Sequence, residues 1–161
     1  DPKVVEQVTK AVRKVTDKPV IVKLSPNVTD IVEIAKAVEA GGGNGVSLIN
    51  TLLGMAIDIH RRKPLLGNIY GGLSGPAVKP VALRMVHQVY KGVTIPIIGL
   101  GGIMSGTDAI EFMMAGAQAV QVGTATMVDP TAISRIAHEM GDFVEQYNLN
   151  SITDIVGAVH Q

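Results

Sequence analysis

Two short apolar runs that end in glycine are the most informative features of the sequence. The first is IPIIGLGGIMSGTDA at residues 95–109, and the second is AVQVGTAT at residues 119–126. A buried parallel strand has this pattern when its carboxyl end opens into a ligand-binding loop. Gly101, Gly102 and Gly123 have no Cβ, so their backbone N–H groups can approach a ligand closely. Two such loops, each followed by a helix N-terminus, predict a phosphate site at the end of a parallel sheet.

Five further residues stand where predicted strands or helices begin or end. Lys23 is a charge inside the apolar run VIVKL, which predicts a strand-end lysine reaching solvent, a cation beside an anionic or electron-accepting ligand, or a Schiff-base lysine. Asn50 and Thr51 either end their strand as turn residues or hydrogen-bond a planar polar substrate. Gly75 is either a turn residue or an anion contact at a helix start. Thr124 adds a hydroxyl to the second glycine loop.

The surrounding pattern alternates short apolar strands with amphipathic helices. Strands are predicted at residues 20–24, 45–50, 96–100 and 119–123, and helices at 2–16, 30–40, 77–90, 107–115 and 129–147, with a short last one from Ser151. The connection 52–74 is interpreted as an insertion after the second strand, and its pieces 55–59 and 67–70 are predicted to pair as an antiparallel hairpin. The first helix is expected to bury its valine-rich face, with Asp1 as its N-cap and Pro2 in its first turn.

Repeated βα units imply a parallel sheet with right-handed crossovers. Such a sheet belongs either to a doubly wound open fold or to an eight-unit barrel. The glycine-rich ends of the last two strands favour the barrel, because phosphate sites in such barrels follow strands seven and eight. We therefore expect residues 1–161 to form the C-terminal half of a single (β/α)8 TIM barrel, strands five to eight with their helices, cut from a larger domain.

Composition excludes several classes of function. The 161 residues are 47% hydrophobic with a formal net charge of zero, which argues against nucleic acid or an acidic membrane surface as a partner. No run approaches the ~18 apolar residues of a membrane helix. Cysteine is absent, which excludes disulfides and cysteine metal sites, and the four histidines show no metal-ligand spacing. No residue pattern indicates a general base.

Five motifs in order resemble one enzyme family over essentially the whole chain. They are VKLSPN at 22–27, SLINT at 47–51, GGLSGPAVKPVALRMV at 71–86, IIGLGGI at 97–103 and VQVGTA at 120–125. With the insertion after the second strand, this set is similar to class 1 dihydroorotate dehydrogenases, and most of all to the catalytic subunit of the NAD-linked 1B type. Each motif alone is weak, because many flavin barrels contain GLGGI-like turns.

The resemblance implies an FMN-dependent (β/α)8 barrel of pyrimidine biosynthesis that oxidises dihydroorotate to orotate in the cytoplasm. It implies that Lys23 lies against the pyrimidine edge of the flavin, where a cation stabilises negative charge. Ile49 would pack near FMN, and Asn50 with Thr51 would bind orotate. The residues that would hold FMN, chiefly its phosphate and ribityl tail, are Gly75, Gly101, Gly102, Gly123 and Thr124.

The resemblance also implies that the general base and the electron acceptor come from outside these 161 residues. In class 1 enzymes the general base is a cysteine from the half of the barrel that would lie upstream of Asp1. Nothing in this sequence replaces that cysteine. We therefore expect no catalytic residue in these 161 residues and no activity from them alone. The 1B type forms a homodimer that pairs with an electron-transfer subunit carrying FAD and an iron–sulfur cluster and passing electrons to NAD. The close alternative is the 1A type, a homodimer that uses fumarate.

Two other functions remain open from the residues alone. One is a flavin-free phosphate-binding barrel, such as an aldolase or isomerase, with Lys23 as its Schiff-base lysine. The other is a non-catalytic half-barrel that serves as a binding or assembly module. Such a module would present open sheet edges, so it should dimerise, aggregate or require its missing half.

Overall fold

The computed structural model describes residues 1–160, and its centre is a parallel β-sheet. The strands are β1 (Ile21–Leu24), β2 (Gly45–Leu48), β3 (Leu52–Met55), β4 (Ile57–Asp58), β5 (Lys63–Pro64), β6 (Tyr70–Leu73), β7 (Ile97–Leu100) and β8 (Ala119–Gln121). The central sheet has the order β1-β2-β7-β8 with every pair parallel. Its strands are therefore the predicted four, and the α/β class with a parallel sheet is confirmed.

Six α-helices connect and flank these strands in residues 1–160. They are α1 (Pro2–Arg13), α2 (Ile31–Ala40), α3 (Lys79–Tyr90), α4 (Gly106–Met114), α5 (Thr124–Val128) and α6 (Ala132–Gln146), with 3₁₀ turns at Pro76–Val78, Ile152–Ile155 and Ala158–His160. Asp30 caps α2 by accepting from the N–H of Val32 at 2.8 Å. Ser151 and Asp154 form the predicted capping box. Within the described part of the chain, no helix has the length and apolar character needed to cross a membrane.

The two faces of the central sheet have different surroundings. Helices α2, α3 and α4 cover one face, where Leu48, Ile97 and Phe112 are fully buried. On the other face Lys23 is exposed at one edge strand and Gln121 at the other. Since side chains alternate along a strand, the side chains of the covered face form a large part of the main core.

The start of the first helix agrees with its prediction. Asp1 is the N-cap of α1, and its carboxylate accepts from the N–H of Lys3 at 2.8 Å. Pro2 follows in the first turn, where its missing N–H leaves no helix hydrogen bond unmade. The exposed carboxylate of Asp1 is therefore used to cap a helix.

The orientation of the first helix contradicts its prediction. Val4, Val8 and Val12 are 54%, 57% and 42% exposed, so the expectation that this face is buried is wrong. The helix packs on α2 through Thr9, which is buried against Gly41. A Cβ at Gly41 would lie 2.7 Å from the Cβ of Thr9, so close approach of backbone at this one point sets how α1 is docked.

The insertion forms antiparallel pairs that agree with the predicted hairpin only in part. The whole of β3 pairs with β6, so that Met55 lies opposite Tyr70, and β4 pairs with β5 inside that loop. The predicted pairing of residues 55–59 with 67–70 is therefore right where Met55 lies opposite Tyr70, and wrong for Ile57 and Asp58, which pair with residues 63–64. The alternation of apolar residues allowed several registers, and the observed one places Gly72, which has no side chain, beside Thr51.

Candidate functional site

A cleft lies at the carboxyl ends of the central strands. It encloses about 570 Å³ of empty space, counted with its open mouth. Its lining residues are Lys23, Ile49, Asn50, Thr51, Leu73, Ser74, Gly75, Val78, Leu100, Gly101, Gly102, Ile103, Met104, Gln121, Gly123 and Thr124. Every cofactor-binding and substrate-binding residue predicted from the sequence is among them. The ligand that each one contacts stays a prediction.

Asp1, upstream of which the general base is expected, is not among the lining residues. Its carboxylate is engaged at the start of α1 by the N–H of Lys3. Because Asp1 lies outside the cleft and its carboxylate caps α1, Asp1 is not itself a candidate for the general base. The expectation that the base lies upstream of Asp1 stays a prediction.

The loop after β7, residues 101–105, is packed tightly against the start of α3. Gly101 has φ +131° and Gly102 has φ +77°, values that side-chain-bearing residues rarely adopt. A Cβ at Gly102 would lie 2.7 Å from the carbonyl oxygen of Gly75 and 2.9 Å from the backbone nitrogen of Lys79. We call residues 101–105 the β7 loop; its backbone conformation depends on glycine.

Charged side chains behind the cleft hold the β7 loop in place. The carboxylate of Asp108 accepts from the N–H groups of Met104 (2.9 Å) and Ser105 (3.0 Å), and from the ammonium of Lys79 (2.6 Å). Burial raises the pKa of Asp108, but the hydrogen bonds from Lys79 and the loop amide of Met104 outweigh it, and the net pKa is lowered. The hydrogen bond to Asp108 is also the main reason that the pKa of Lys79 is raised.

The loop after β8, residues 122–124, is built differently, and we call it the β8 loop. Gly123 has φ −115°, and a Cβ added there would meet no heavy atom within 4 Å in the described structure. Thr124 begins α5, and its hydroxyl donates to the Oγ of Ser74 at 3.0 Å. That bond ties the β8 loop to the segment that enters α3. The space beside Gly123 is therefore open, and Gly123 is one of the residues that line the cleft.

The ends of β1 and β2 supply the polar side of the cleft. Lys23 pairs in register with Ser47, which is 5% exposed. The N–H of Ile49 donates to the carbonyl of Leu100 at 2.8 Å, and the N–H of Asn50 donates to the carbonyl of Leu24 at 2.9 Å. These bonds extend the sheet by two residues and hold Ile49 and Asn50 between Lys23 and the β7 loop.

Several lining residues were not predicted from the sequence. They are Leu73, Ser74, Val78, Leu100, Ile103, Met104 and Gln121. A signal existed for Gln121, which interrupts the apolar run AVQVG and pairs in register with Leu100. Ser74 had no such signal, because it lies at the end of the insertion, whose register the sequence leaves open.

The charge and chemistry of the lining limit what the cleft can do. Among the described lining residues Lys23 is the one with a charged side chain, and none is a carboxylate, histidine or cysteine. The backbone N–H groups of the two glycine loops and the cation suit an anionic ligand. The amide of Asn50 and the hydroxyl of Thr51 suit a polar planar one. Proton abstraction by a side chain has no candidate in this lining.

A parallel sheet with a glycine-lined, cation-bearing cleft at its carboxyl end is the arrangement in which proteins of the α/β class commonly bind small molecules. The family model for dihydroorotate dehydrogenase matches residues 1–144. The chain is 62% identical over 157 residues to the catalytic subunit of dihydroorotate dehydrogenase B (NAD(+)) of Alkaliphilus oremlandii. This chain belongs to the dihydroorotate dehydrogenase family, and the resemblance inferred from its motifs is confirmed.

Other catalytic subunits of the same name give the same result. Identity is 63% over 154 residues to that of Desulforamulus reducens and 59% over 159 residues to that of Geobacter sulfurreducens. These matches cover 96% and 99% of this chain, but 51% and 52% of the relatives, and the Alkaliphilus match covers 98% and 52%. The chain therefore spans about half the length of the curated relatives it matches.

Proposed function

We propose that this chain takes part in the FMN-dependent oxidation of dihydroorotate to orotate in pyrimidine biosynthesis, as the NAD-linked type of the family. Within that reaction it holds FMN and binds part of the orotate. The observation that carries the proposal is the cleft that gathers Lys23, both glycine loops and the Asn50–Thr51 pair. The relatives, which are named catalytic subunits of dihydroorotate dehydrogenase B (NAD(+)), support the same reaction.

The residues present fit FMN. A phosphate needs several N–H donors. Asp108 engages those of Met104 and Ser105, but Gly101 and Gly102 of the β7 loop and Gly123 and Thr124 of the β8 loop also line the cleft, and no described lining residue is a carboxylate. The open space beside Gly123 allows a ligand to contact the backbone directly. FMN, when bound, supplies the hydride acceptor. The ammonium of Lys23 adds positive potential where the ring accepts negative charge, and buried Ile49 offers an apolar surface to the ring.

The substrate side of the cleft is assigned to Asn50 and Thr51. An amide supplies two N–H donors and an acceptor oxygen, which match the carbonyl and N–H groups of orotate. The hydroxyl of Thr51 adds another donor and acceptor. Both residues follow β2 directly, so the sheet hydrogen bond from the Asn50 N–H to Leu24 sets where they lie.

The proton at C5 of dihydroorotate needs a base that this lining does not contain. The chain has no cysteine, the base that the family resemblance implies. We therefore assign the base to the other half of a (β/α)8 barrel, upstream of Asp1, with residues 1–161 as the C-terminal half. Support for this partition comes from the sequential strand order, from the exposure of Lys23 and Gln121 on the second face of the sheet, and from the relatives, which are about twice as long as this chain.

The proposed partners follow from the same family likeness. They are the N-terminal half of the barrel, a second copy in a homodimer, and an electron-transfer subunit with FAD and an iron–sulfur cluster. The relatives are named catalytic subunits, which supports the presence of a second type of subunit in the assembly. Location in the cytoplasm stays a prediction.

Titration of the purified chain with FMN tests the proposal. Flavin fluorescence should be quenched on binding, and riboflavin, which lacks the phosphate, should bind at least tenfold more weakly, because a charge-assisted phosphate contact is worth more than about 1.4 kcal/mol. The matched variant Lys23→Met keeps the length of the side chain and should bind FMN with a shifted reduction potential. Equal binding of FMN and riboflavin would contradict the phosphate assignment.

Two further measurements separate this function from the alternatives. Steady-state oxidation of dihydroorotate by the chain alone should be undetectable, and robust turnover would overturn the assignment of the base to another segment. A Schiff-base aldolase would instead be trapped at Lys23 by borohydride in the presence of a carbonyl substrate. Trapping at Lys23 without any flavin affinity would replace the proposed function.

A further inference from the structure

Asn27, an exposed residue in the connection after β1, bonds to a segment that follows β2. Its side-chain Nδ2 donates to the carbonyl oxygen of Thr51 at 3.1 Å. Its Oδ1 accepts from the N–H of Leu53 at 3.0 Å. One amide thus satisfies a C=O and an N–H two residues apart on the same strand, as the backbone of a neighbouring strand would. No sequence pattern predicted this contact.

The geometry requires the amide of asparagine. Both an acceptor and a donor are used, so aspartate would keep the bond to Leu53 and lose the bond to Thr51. The hydroxyl of Ser25 accepts from the backbone N–H of Asn27 at 3.2 Å and from its Nδ2 at 3.3 Å, which orients the side chain. Glutamine would carry the amide about one methylene further from both partners.

The side chain of Thr51 lies against Gly72 of β6, in the insertion. A Cβ at Gly72 would lie 2.6 Å from the Cβ of Thr51, so the threonine side chain occupies the space that any other residue at position 72 would need. Asn27 therefore bonds the backbone of Thr51, while the missing side chain of Gly72 leaves room for the Thr51 side chain. Lys23 lies four positions before Asn27, so the same short segment carries the cation and the amide that orients the substrate residues.

We propose that Asn27 is a positioning residue for the substrate side of the cleft. It holds the backbone of residues 51–53 against the end of β1, so that Asn50 and Thr51 face the same space as Lys23. It acts through Thr51 and Leu53. The inference deepens the proposed function and rests on it for the identity of the ligand, whereas the tether itself is a property of the chain.

Amide hydrogen exchange tests the tether without any ligand. In Asn27→Ala the hydrogen exchange of the Leu53 amide should accelerate about tenfold or more, because the substitution removes the Oδ1 that accepts its hydrogen bond. In Asn27→Asp that amide should stay protected. The matched control is Asn44→Ala, which removes an Oδ1 that accepts from the N–H of Val20 at 2.9 Å at the opposite end of the sheet. Unchanged exchange of Leu53 in Asn27→Ala would overturn the inference.

Titration of the FMN-loaded chain with orotate tests the positioning role. Orotate should change the visible absorbance of the flavin, and its Kd should rise about tenfold in both Asn27 variants, while the Kd of FMN stays within about twofold. Asn44→Ala should leave both constants unchanged. Equal orotate affinity in wild type and Asn27→Asp would overturn the positioning role. Absence of flavin binding by the wild type would instead overturn the proposed function, and the exchange of Leu53 would still decide the tether.

Discussion

The β7 and β8 loops look alike in the sequence, since each ends an apolar strand with glycine and leads into a helix, yet the structure gives their glycines different tasks. In the β7 loop, Gly101 and Gly102 have positive φ, and any Cβ would collide with α3. In the β8 loop, Gly123 has an ordinary negative φ and open space around it. Glycine allows close packing of the backbone in the first loop, whereas in the second loop it leaves open space beside the backbone.

The two loops also differ in how they are fastened. The β7 loop is held by a partly buried carboxylate, Asp108, which is itself paired with Lys79, and by Glu139, which accepts from the N–H of Gly106. The β8 loop is tied to its neighbour by the hydroxyl bond from Thr124 to Ser74. We therefore expect mutations in the β7 loop to change stability as well as binding, and mutations in the β8 loop to change binding with little effect on stability.

Gly102→Ala should have the largest effect. It forces a Cβ into a left-handed conformation and toward backbone atoms of Gly75 and Lys79, which should lower the free energy of unfolding by about 2–4 kcal/mol. Urea denaturation measures the change. The matched control Gly123→Ala should stay within about 0.5 kcal/mol of the wild type. Similar losses in both variants would remove the distinction between the loops.

Asp108→Asn should have the next largest effect, of about 2 kcal/mol at pH 7, because it removes a charge-assisted bond to Lys79. Since the pKa of Asp108 is lowered on folding, its contribution is complete above its unfolded pKa and is lost as the pH falls through the folded value. Unfolding free energies measured from about pH 6 to 2.5 should therefore fall less steeply in the variant. Parallel curves would contradict the role of the carboxylate.

A second aspartate provides a control for the binding effect of Asp108. Asp154 occupies the same position in another capping box, where it accepts from the N–H groups of Asn150 and Ser151, remote from the cleft. Asp154→Asn should weaken its helix cap and leave the FMN affinity unchanged. Asp108→Asn should weaken FMN binding as well, because it loosens the β7 loop. An equal FMN affinity in the two variants would place the loop outside the ligand site.

Gly123→Ala should reduce the affinity for FMN about tenfold, which corresponds to about 1.4 kcal/mol. The added methyl group would occupy the open space where the ligand is proposed to approach the backbone, while the fold has room for it. Fluorescence titration gives the affinity and urea denaturation the stability. An unchanged Kd would show that the ligand does not contact this part of the β8 loop.

Thr124→Val should have the smallest effect, a loss of about 0.5–1 kcal/mol, because it removes one neutral hydrogen bond with little change of volume. Ser74→Ala should cost a similar amount. The double variant should cost less than the sum of the two single changes if the hydroxyls interact, and a double-mutant cycle measures that coupling. Strictly additive losses would show that the two loops are independent at this point.

Much of the cleft was predictable because its signals are local. Apolar runs ending in glycine marked the ends of β7 and β8, and the breaks after VIVKL and GVSLIN marked the ends of β1 and β2. In a parallel sheet these ends meet at one edge, so residues such as Lys23 and Gly102 were expected in one place. The predictions that were wrong concern contacts between separate segments: the orientation of the valines of α1 and the pairing partner of residues 57–58.

The sequence by itself therefore determined the order of strands and helices, the parallel sheet and the residues that meet at its carboxyl end, because periodicity and glycine placement act over a few neighbouring residues. Only the tertiary structure decided that Gly102 serves packing while Gly123 stays open, that Thr9 docks α1, and that the amide of Asn27 reaches Thr51. Those outcomes depend on distances between atoms far apart in the chain, which a single residue pattern does not encode.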